Sequence, residues 1–359
     1  MRLNAILLAV AAFGASCRAQ TCTDYLVPVS VTHTTPQDFS GQPYSGEVLY
    51  AFARREILVT GSYNMSVRLC TPARARSKAA DDTIQVLVHG ATFNKVMWDI
   101  QYEPETYNWV QRMNGQGYAT LAVDLVGAGN STSPFPDGLL EVHTQTFVET
   151  MHQVVQKLRA GEIGEKKWEK VVFIGFSIGA VVANSIALQY SEDVDAIMLH
   201  GISWDASWLY PAFLAGLQVS ANLIDPVKWK HVPSLYQTQS TIEGRRSACF
   251  AGKYDEEALQ VDWKTRDFDS LGAAITLTYH LKTSPEFRGP VFLGIGDQDS
   301  TFCGGRYCRQ QPYQIYEIFP NAAIHSINVY PDTGHLIIYH HSAPQLMNDT
   351  LRFLRANGF

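Results

Sequence analysis

The stretch VVFIGFSIGAVVANSIALQY, residues 171–190, changes character halfway along. Its first half is a run of β-branched and aromatic residues typical of a buried strand, and its second half has the small and aliphatic residues of a packed helix. Between the halves lies the pentapeptide GFSIG, with Ser177 at its centre. A strand that becomes a helix within a few residues strains the apex residue, and glycines two positions before and after it leave room. The pattern predicts an exposed Ser177 beside a helix N-terminus, which favours negative charge.

Similar apolar runs recur along the chain, separated by segments with helical periodicity. They cover residues 84–88, 119–123, 171–174, 196–199, 291–295 and 327–330. This alternation predicts an α/β fold with a mostly parallel central sheet and helices on both faces. One helix is expected to start at Thr146, which forms a capping box with Glu149, and the last helix is expected at about residues 343–356.

Residues 202–287 interrupt this rhythm with many aromatic residues spaced by loops and charges. We interpret this segment as a mainly helical cap, inserted between a first core part (residues 20–201) and a second (288–359), above the carboxyl edge of the sheet. Most of its aromatic side chains are expected to form the core of the cap itself. Trp204 and Trp208, together with Phe176 beside the serine, are the candidates for contact with a substrate.

Composition limits the class of protein and its compartment. The 359 residues are 46% hydrophobic and carry a formal net charge of -6, which argues against nucleic acid as a partner. Residues 1–19 have the layout of a secretory signal peptide, with cleavage expected after Ala19. No stretch is long and apolar enough for a membrane helix. We therefore expect a secreted protein without a stable membrane anchor.

The cysteines agree with an oxidising compartment. Cleavage would remove Cys17 and leave an odd number, Cys22, Cys70, Cys249, Cys303 and Cys308. Pairs Cys303–Cys308 and Cys22–Cys70 are one possible arrangement, although connectivity cannot be read from sequence alone. Glycosylation sequons occur at Asn64, Asn130 and Asn348. None of these cysteines belongs to a Cys-x-x-Cys pair with histidines nearby, so no metal site is expected.

A serine hydroxyl is a weak nucleophile unless a base and an orienting carboxylate lie within reach. The strand at 291–295 runs into a turn with Asp297 and Asp299, and the strand at 327–330 runs into a turn with His335. Both turns follow carboxyl ends of strands, on the same sheet edge as Ser177. Asp299 is favoured as the acid, because Asp297 is nearer the strand and is better placed to cap the turn.

Other histidines compete for the role of base. His340 and His341 are expected to be surface or packing residues near the last helix, and His143, His152 and His200 precede the acid turn. His89 precedes Gly90 at a strand end and is interpreted as part of a turn that supplies oxyanion donors. His335, after Gly334, is the preferred base.

These motifs together resemble the α/β-hydrolase superfamily, in the branch with a helical cap between the sixth and seventh strands. The matching pieces, from residue 84 onward, are VLVHGATFN, AVDLVGAGNS, GFSIG, GIGDQD and TGHL. More narrowly, HGATFNKVMWD and GKYDEEAL resemble a group of secreted fungal serine hydrolases whose substrates are mostly undefined. The sequence departs from the family at Phe176, where many relatives have histidine. It also has a long segment before residue 84, which is expected to add antiparallel edge strands near residues 46–52 and 64–70.

The resemblance implies a nucleophile at Ser177, an acid at Asp299, a base at His335 and an oxyanion hole formed by the N–H of Ile178 and that of Ala91 or Thr92. The predicted reaction is acyl transfer to water through an acyl-enzyme, with no cofactor, and the aromatic cap suggests a mid-sized, mainly apolar carboxylic ester, lactone or thioester as the substrate. The same fold also supports non-hydrolytic or cyclising proteins of secondary-metabolite pathways and small-molecule binders. The sequence does not distinguish these alternatives, and the oligomeric state is left open.

Overall fold

The computed structural model describes residues 20–35, 57–132, 135–305 and 307–359. The expected signal peptide (1–19) and the expected edge strand at 46–52 lie outside the described residues.

The strands form two sheets. In chain order they are β1 (Thr21–Thr35), β2 (Ile57–Thr71), β3 (Thr83–Val88), β4 (Ala119–Val123), β5 (Lys170–Phe176), β6 (Ala196–His200), β7 (Gln218–Ser220), β8 (Tyr236–Gln239), β9 (Asp269–Ser270), β10 (Val291–Gly296) and β11 (His325–Tyr330). Within the described residues, eight of them make a central sheet in the order β1-β2-β4-β3-β5-β6-β10-β11. The pairs β1–β2 and β2–β4 are antiparallel, and the other neighbours are parallel. The six predicted strands are all present, which confirms the expected α/β fold.

Helices connect the strands and cover the sheet. They are α1 (Lys78–Asp82), α2 (Pro104–Tyr107), α3 (Trp109–Gly115), α4 (Thr144–Ala160), α5 (Ile178–Gln189), α6 (Leu209–Ala215), α7 (Ala221–Ile224), α8 (Ile242–Cys249), α9 (Glu256–Thr265), α10 (Leu271–Thr276), α11 (Ser300–Cys303), α12 (Ile315–Ile318) and α13 (Ala343–Ala356). Short 3-10 turns occupy Lys95–Trp98, Ser191–Asp193, Leu277–His280, Gln311–Gln314 and Ile337–Tyr339.

The parallel strands are buried on both faces because successive side chains enter different cores. In β5, Val171 and Phe173 pack with α4 and α5, whereas Val172 and Ile174 pack with α3 and α13. Apolar runs without alternation are therefore the correct sequence signal for these strands.

The antiparallel edge was predicted only in part. The predicted residues 64–70 lie within β2, but its partner β1 was not predicted. Val27, Val29 and Val31 alternate inward along β1, while the edge position tolerates Pro28, whose missing N–H would break a ladder inside a sheet. Cys22 faces Cys70 across the pair and forms a disulfide with it.

The predicted cysteine pairs are confirmed. Cys303 and Cys308 form the second disulfide, and among the described cysteines Cys249 is the free one and is buried. Burial raises the pKa of the Cys249 thiol to about 12, which makes it a poor nucleophile.

The predicted capping box at Thr146 is wrong. Helix α4 starts at Thr144, with His143 as its N-cap residue. Thr146 lies in the first turn, where its hydroxyl accepts the N–H of His143 (3.2 Å) and donates to the carbonyl of Glu141 (2.7 Å). The side chain of Glu149 instead accepts hydrogen bonds from Gln145 and Tyr190. The capping residue was thus predicted three positions too late.

The segment 202–287 contains α6 to α10 and, within its described residues, a three-stranded antiparallel sheet of β7, β8 and β9. Trp229, Tyr236 and Phe268 pack together with Phe135 as a separate small core. We propose that this segment is the inserted cap, with the boundaries given above. In the described part of the chain, no helix has the length and apolar character needed to cross a membrane.

Candidate active site

Ser177 occupies the sharp turn between β5 and α5, which we call the elbow (residues 175–179). Its backbone has φ 55° and ψ -118°, an unfavourable conformation for a residue with a side chain. Such strain costs on the order of 1–3 kcal/mol and persists only where the surroundings hold it. The N–H of Ser177 donates to the carbonyl of His200 (2.9 Å), which is one such restraint. The side chain of Ser177 is partly exposed.

The two flanking glycines are required by close backbone contacts. A Cβ on Gly175 would lie 2.1 Å from the carbonyl oxygen of Gly179. A Cβ on Gly179 would lie 2.4 Å from the carbonyl oxygen of Val88, on the neighbouring strand β3. The elbow therefore packs too tightly for any larger residue at either position.

The structure brings Ser177, His335 and Asp299 together in a hydrogen-bonded chain. His335 Nε2 lies 2.9 Å from Ser177 Oγ, and His335 Nδ1 lies 2.7 Å from Asp299 Oδ2. His335 is 4% exposed and Asp299 is fully buried. An ionised Asp299 can only accept, so Nδ1 carries the proton and Nε2 of the neutral ring is free to accept from the serine.

Asp299 is also held by the main chain. It is the N-cap of α11, and its other oxygen, Oδ1, accepts the N–H groups of Thr301 (2.8 Å) and Phe302 (2.9 Å). These bonds leave Oδ2 to face the imidazole. Asp297 instead accepts the N–H of Thr333 through Oδ1 (3.2 Å), so it ties the acid turn to the histidine turn and does not reach His335.

The remaining histidines have structural partners. His340 is completely buried, and its Nε2 accepts the N–H groups of Gly334 (3.0 Å) and Ala251 (3.2 Å). Burial lowers the pKa of His340 to about 4, so the ring stays neutral and can accept. It is thus a packing residue of the histidine turn and not a surface residue, whereas His341 is exposed and pairs with Asp255.

Two more histidines, His200 and His152, are not placed to act as the base. His200 lies between aromatic rings, 5.3 Å from Trp109 and 6.3 Å from Trp98, and burial lowers its pKa to about 3. His152 stacks on Tyr190 and pairs with Asp193 on the outer side of α4. Neither His200 ring nitrogen has a hydrogen-bond partner among the described residues, and His152 has the acid Asp193 but no nucleophile beside it.

The loop at residues 89–93, the oxyanion loop, approaches the elbow from β3. His89 Nε2 accepts the N–H of Leu125 (3.0 Å), so its Nδ1 donates to the carbonyl of Gly90 (2.8 Å) and fixes the Gly90–Ala91 peptide. Gly90 is needed because a Cβ there would lie 2.7 Å from the ring of Phe176. Within the described residues, the N–H groups of Ala91, Thr92 and Ile178 have no hydrogen-bond acceptor. They are available to a negatively charged oxygen.

Thr92 adopts a φ of 65°, which is rare for a β-branched residue. Sequence reasoning missed the residue that holds it: Arg245 of α8, whose Nη1 donates to Thr92 Oγ1 (2.6 Å). Arg245 is fully buried and forms a two-point ion pair with Asp262. No local motif marks this arginine, because its partners come from distant parts of the chain.

The three expected substrate contacts occupy different places. Phe176 is 1% exposed and packs under the imidazole of His335, with ring centroids 4.9 Å apart. Trp204 donates its indole N–H to Asn184 (2.8 Å) and packs edge-on against Phe319. Trp208 is 37% exposed and lines a hollow of 820 Å³ beside the acid turn, with Gln298 and Cys303. Among the three, only Trp208 lies on an open surface beside the acid turn.

The described residues contain no group of three or more His, Cys, Asp or Glu side chains arranged to hold a metal ion.

A strand–helix elbow that presents a hydrogen-bonded serine, on a sheet of this order, defines a class of proteins. Residues 85–350 match the model of the alpha/beta hydrolase family, and the chain belongs to that family. None of the curated proteins matches this sequence at a significant level.

Solved structures share the fold. A soluble variant of monoglyceride lipase from Saccharomyces cerevisiae is 12% identical with a TM-score of 0.55, over 82% of this chain and 92% of the other. A structure from work on carboxylesterases of Nitrososphaera gargenis is 17% identical with a TM-score of 0.54, over 83% and 96%. Epoxide hydrolase from Vigna radiata is 13% identical with a TM-score of 0.52, over 81% and 95%. At such identities the likeness establishes the fold alone, and the reaction must be argued from the site.

Proposed function

We propose that this protein is a serine hydrolase that cleaves carboxylic esters. The observation that carries the proposal is the chain from Ser177 through His335 to Asp299, with both bonds shorter than 3 Å and the serine on a strained elbow. In the first step His335 Nε2 takes the hydroxyl proton while Oγ attacks the ester carbonyl. The N–H of Ile178 and that of Ala91 or Thr92 bind the oxyanion, and His335 then protonates the leaving alcohol.

In the second step water replaces the alcohol. His335 removes a proton from this water, which attacks the acyl-enzyme and releases the acid and the free serine. Asp299 keeps the imidazole in the required tautomer throughout and stabilises its protonated form. A serine nucleophile distinguishes this proposal from epoxide hydrolysis, which in this fold needs a carboxylate that forms an alkyl-enzyme ester.

For the substrate class we propose a mid-sized, mainly apolar ester, lactone or thioester. The support is the aromatic content of the segment 202–287, where Trp208 is exposed beside the acid turn. We also propose that the protein is secreted and glycosylated. Two disulfides agree with an oxidising compartment, and the sequon residues Asn64, Asn130 and Asn348 are all exposed.

The decisive experiment measures hydrolysis of p-nitrophenyl esters of short and medium chain length. Ser177→Ala should reduce kcat by about 10⁶-fold, and Ser62→Ala, at an exposed serine on β2, serves as the matched control with unchanged kcat. A fluorophosphonate probe should label the wild type and the control but not Ser177→Ala. Labelling without turnover of any ester would count against hydrolysis and favour a cyclising or other non-hydrolytic role. Absence of both would refute an activated serine.

The acid can be tested with a matched pair of variants. In Asp299→Asn the amide oxygen can still accept the N–H groups of Thr301 and Phe302, so the amide nitrogen must face His335 and forces Nδ1 to accept. The ring then carries its proton on Nε2 and cannot take the serine proton, which should lower kcat by about 10⁴-fold. Asp297→Asn should change kcat by less than about tenfold, since Asp297 only ties two turns together. Equal losses in the two variants would contradict the assignment.

A further inference from the structure

Arg245 makes more contacts than its ion pair requires. Nε and Nη2 donate to Asp262 (2.7 and 2.8 Å), which already neutralises the buried charge. The remaining nitrogen, Nη1, donates to Gln239 (2.9 Å) and to Thr92 Oγ1 (2.6 Å). The guanidinium also lies 3.9 Å from the ring centroid of Phe93. One side chain of the segment 202–287 therefore reaches two consecutive residues of the oxyanion loop.

The contact continues into the main chain. The hydroxyl of Thr92, which accepts from Arg245, donates to the carbonyl oxygen of Ala91 (2.5 Å). A trans peptide is planar, and its C=O and N–H point in opposite directions. Fixing the carbonyl of Ala91 therefore fixes the direction of the Thr92 N–H, which belongs to the same peptide. The Gly90–Ala91 peptide is fixed separately by His89.

A second bond comes from the same segment. The N–H of Asp267 donates to the carbonyl oxygen of Thr92 (2.9 Å). Thr92 is thus held on both sides of its Cα, at a positive φ that a β-branched residue does not adopt without restraint.

We propose that Arg245 is a positioning residue for catalysis: through Thr92 Oγ1 it orients the Ala91–Thr92 peptide, so that the oxyanion hole is complete only when the segment 202–287 is docked on the core. This inference rests on the proposed function and extends it to a residue that does not touch the substrate. It also selects the Thr92 N–H as the second oxyanion donor.

The kinetic test removes the contact without leaving a buried charge. Arg245→Met combined with Asp262→Leu replaces the ion pair by apolar side chains, an exchange that buried pairs often tolerate. We expect kcat for p-nitrophenyl esters to fall by about 10- to 100-fold, with KM within about twofold, since the loss of a complete oxyanion donor costs about 100- to 1,000-fold. The matched control Arg246→Met, at a partly exposed arginine of the same helix that pairs with Glu243 and Glu256, should retain kcat within about threefold. Arg245→Lys should recover part of the loss seen in Arg245→Met.

Thr92→Val is the second variant, because it removes only the hydroxyl and leaves the ion pair intact. It should lower kcat as much as the double variant, and combining all three changes should lower kcat no further, since both act through one contact. Additive losses, or unchanged kcat in Thr92→Val, would overturn the proposal.

Amide hydrogen exchange separates this proposal from the proposed function. Peptides covering residues 89–96 should exchange faster in Thr92→Val and in the Arg245 and Asp262 double variant than in the wild type, while peptides from α13 stay unchanged. This readout needs no substrate. If the wild type neither hydrolyses esters nor reacts with fluorophosphonate, the proposed function fails and the exchange of the loop alone decides the positioning role. Exchange rates equal to the wild type would refute it.

Discussion

Replacing Ser177 by glycine and by alanine tests the strain at the elbow directly. Both variants lose the hydroxyl and its bond to His335, so this loss cancels between them. The alanine Cβ remains at φ 55° and ψ -118°, which costs on the order of 1–3 kcal/mol, whereas glycine adopts this conformation freely. The greater freedom of glycine in the unfolded chain offsets about 0.5–1 kcal/mol. Ser177→Gly should therefore be more stable than Ser177→Ala by about 1–2 kcal/mol.

Urea unfolding at constant pH measures the difference, and thermal unfolding should show a melting temperature higher by about 2–4 °C for the glycine variant. The matched control uses Gln345, an exposed residue of α13, where glycine should be less stable than alanine by up to about 1 kcal/mol. The order of the two substitutions is thus expected to reverse between the elbow and an ordinary helix. If the alanine variant is at least as stable as the glycine variant at both sites, the backbone of residue 177 is not strained.

Three further predictions concern the supports of the site. His340→Phe leaves the buried N–H of Gly334 and the partly buried N–H of Ala251 unpaired and should cost about 1–3 kcal/mol in urea unfolding, and a loss below 1 kcal/mol would contradict the assigned bonds. Burial raises the pKa of Asp267 to about 6, so its contribution to stability is full below about pH 4 and is lost as the pH rises through 6. Relative to Asp267→Asn, the wild type should lose about 3 kcal/mol between pH 4 and pH 8, and a constant difference across this range would refute the shift. Replacing Cys303 and Cys308 by serine opens a short covalent loop and should cost about 2 kcal/mol, measured against the wild type under oxidising conditions, with no change under reducing conditions.

Local patterns were sufficient for the parallel strands of the central sheet and for the meeting of Ser177, His335 and Asp299. The parallel strands are continuous apolar runs, so they could be located without knowing their neighbours. Ser177, Asp299 and His335 each follow a strand, and parallel strands place their carboxyl ends at one edge. That geometric rule is why residues 158 positions apart could be predicted to meet.

Features that depend on distant partners could not be predicted in the same way. Strand β1 has an alternating pattern from Val27 to Val31, but Pro28 interrupts it, and only its place at the edge of the sheet makes the proline acceptable. The position of Arg245 depends on Asp262, Gln239 and Thr92, none of which is near it in a recognisable motif. His340 was expected to be a surface or a packing residue, and the sequence could not decide between the two because the main-chain donors that hold it in the interior belong to Ala251 and Gly334.

The bonds that join Thr92 to the segment 202–287 also limit how this protein could be re-engineered. Exchanging caps between relatives is an obvious route to new specificity. In a chimaera with a foreign cap, however, the oxyanion loop would lose its hydrogen bonds to Arg245 and to the N–H of Asp267. Turnover would fall for every substrate, including those that the donor cap accommodates. A graft would have to carry a matching residue 92 and its partners as one unit.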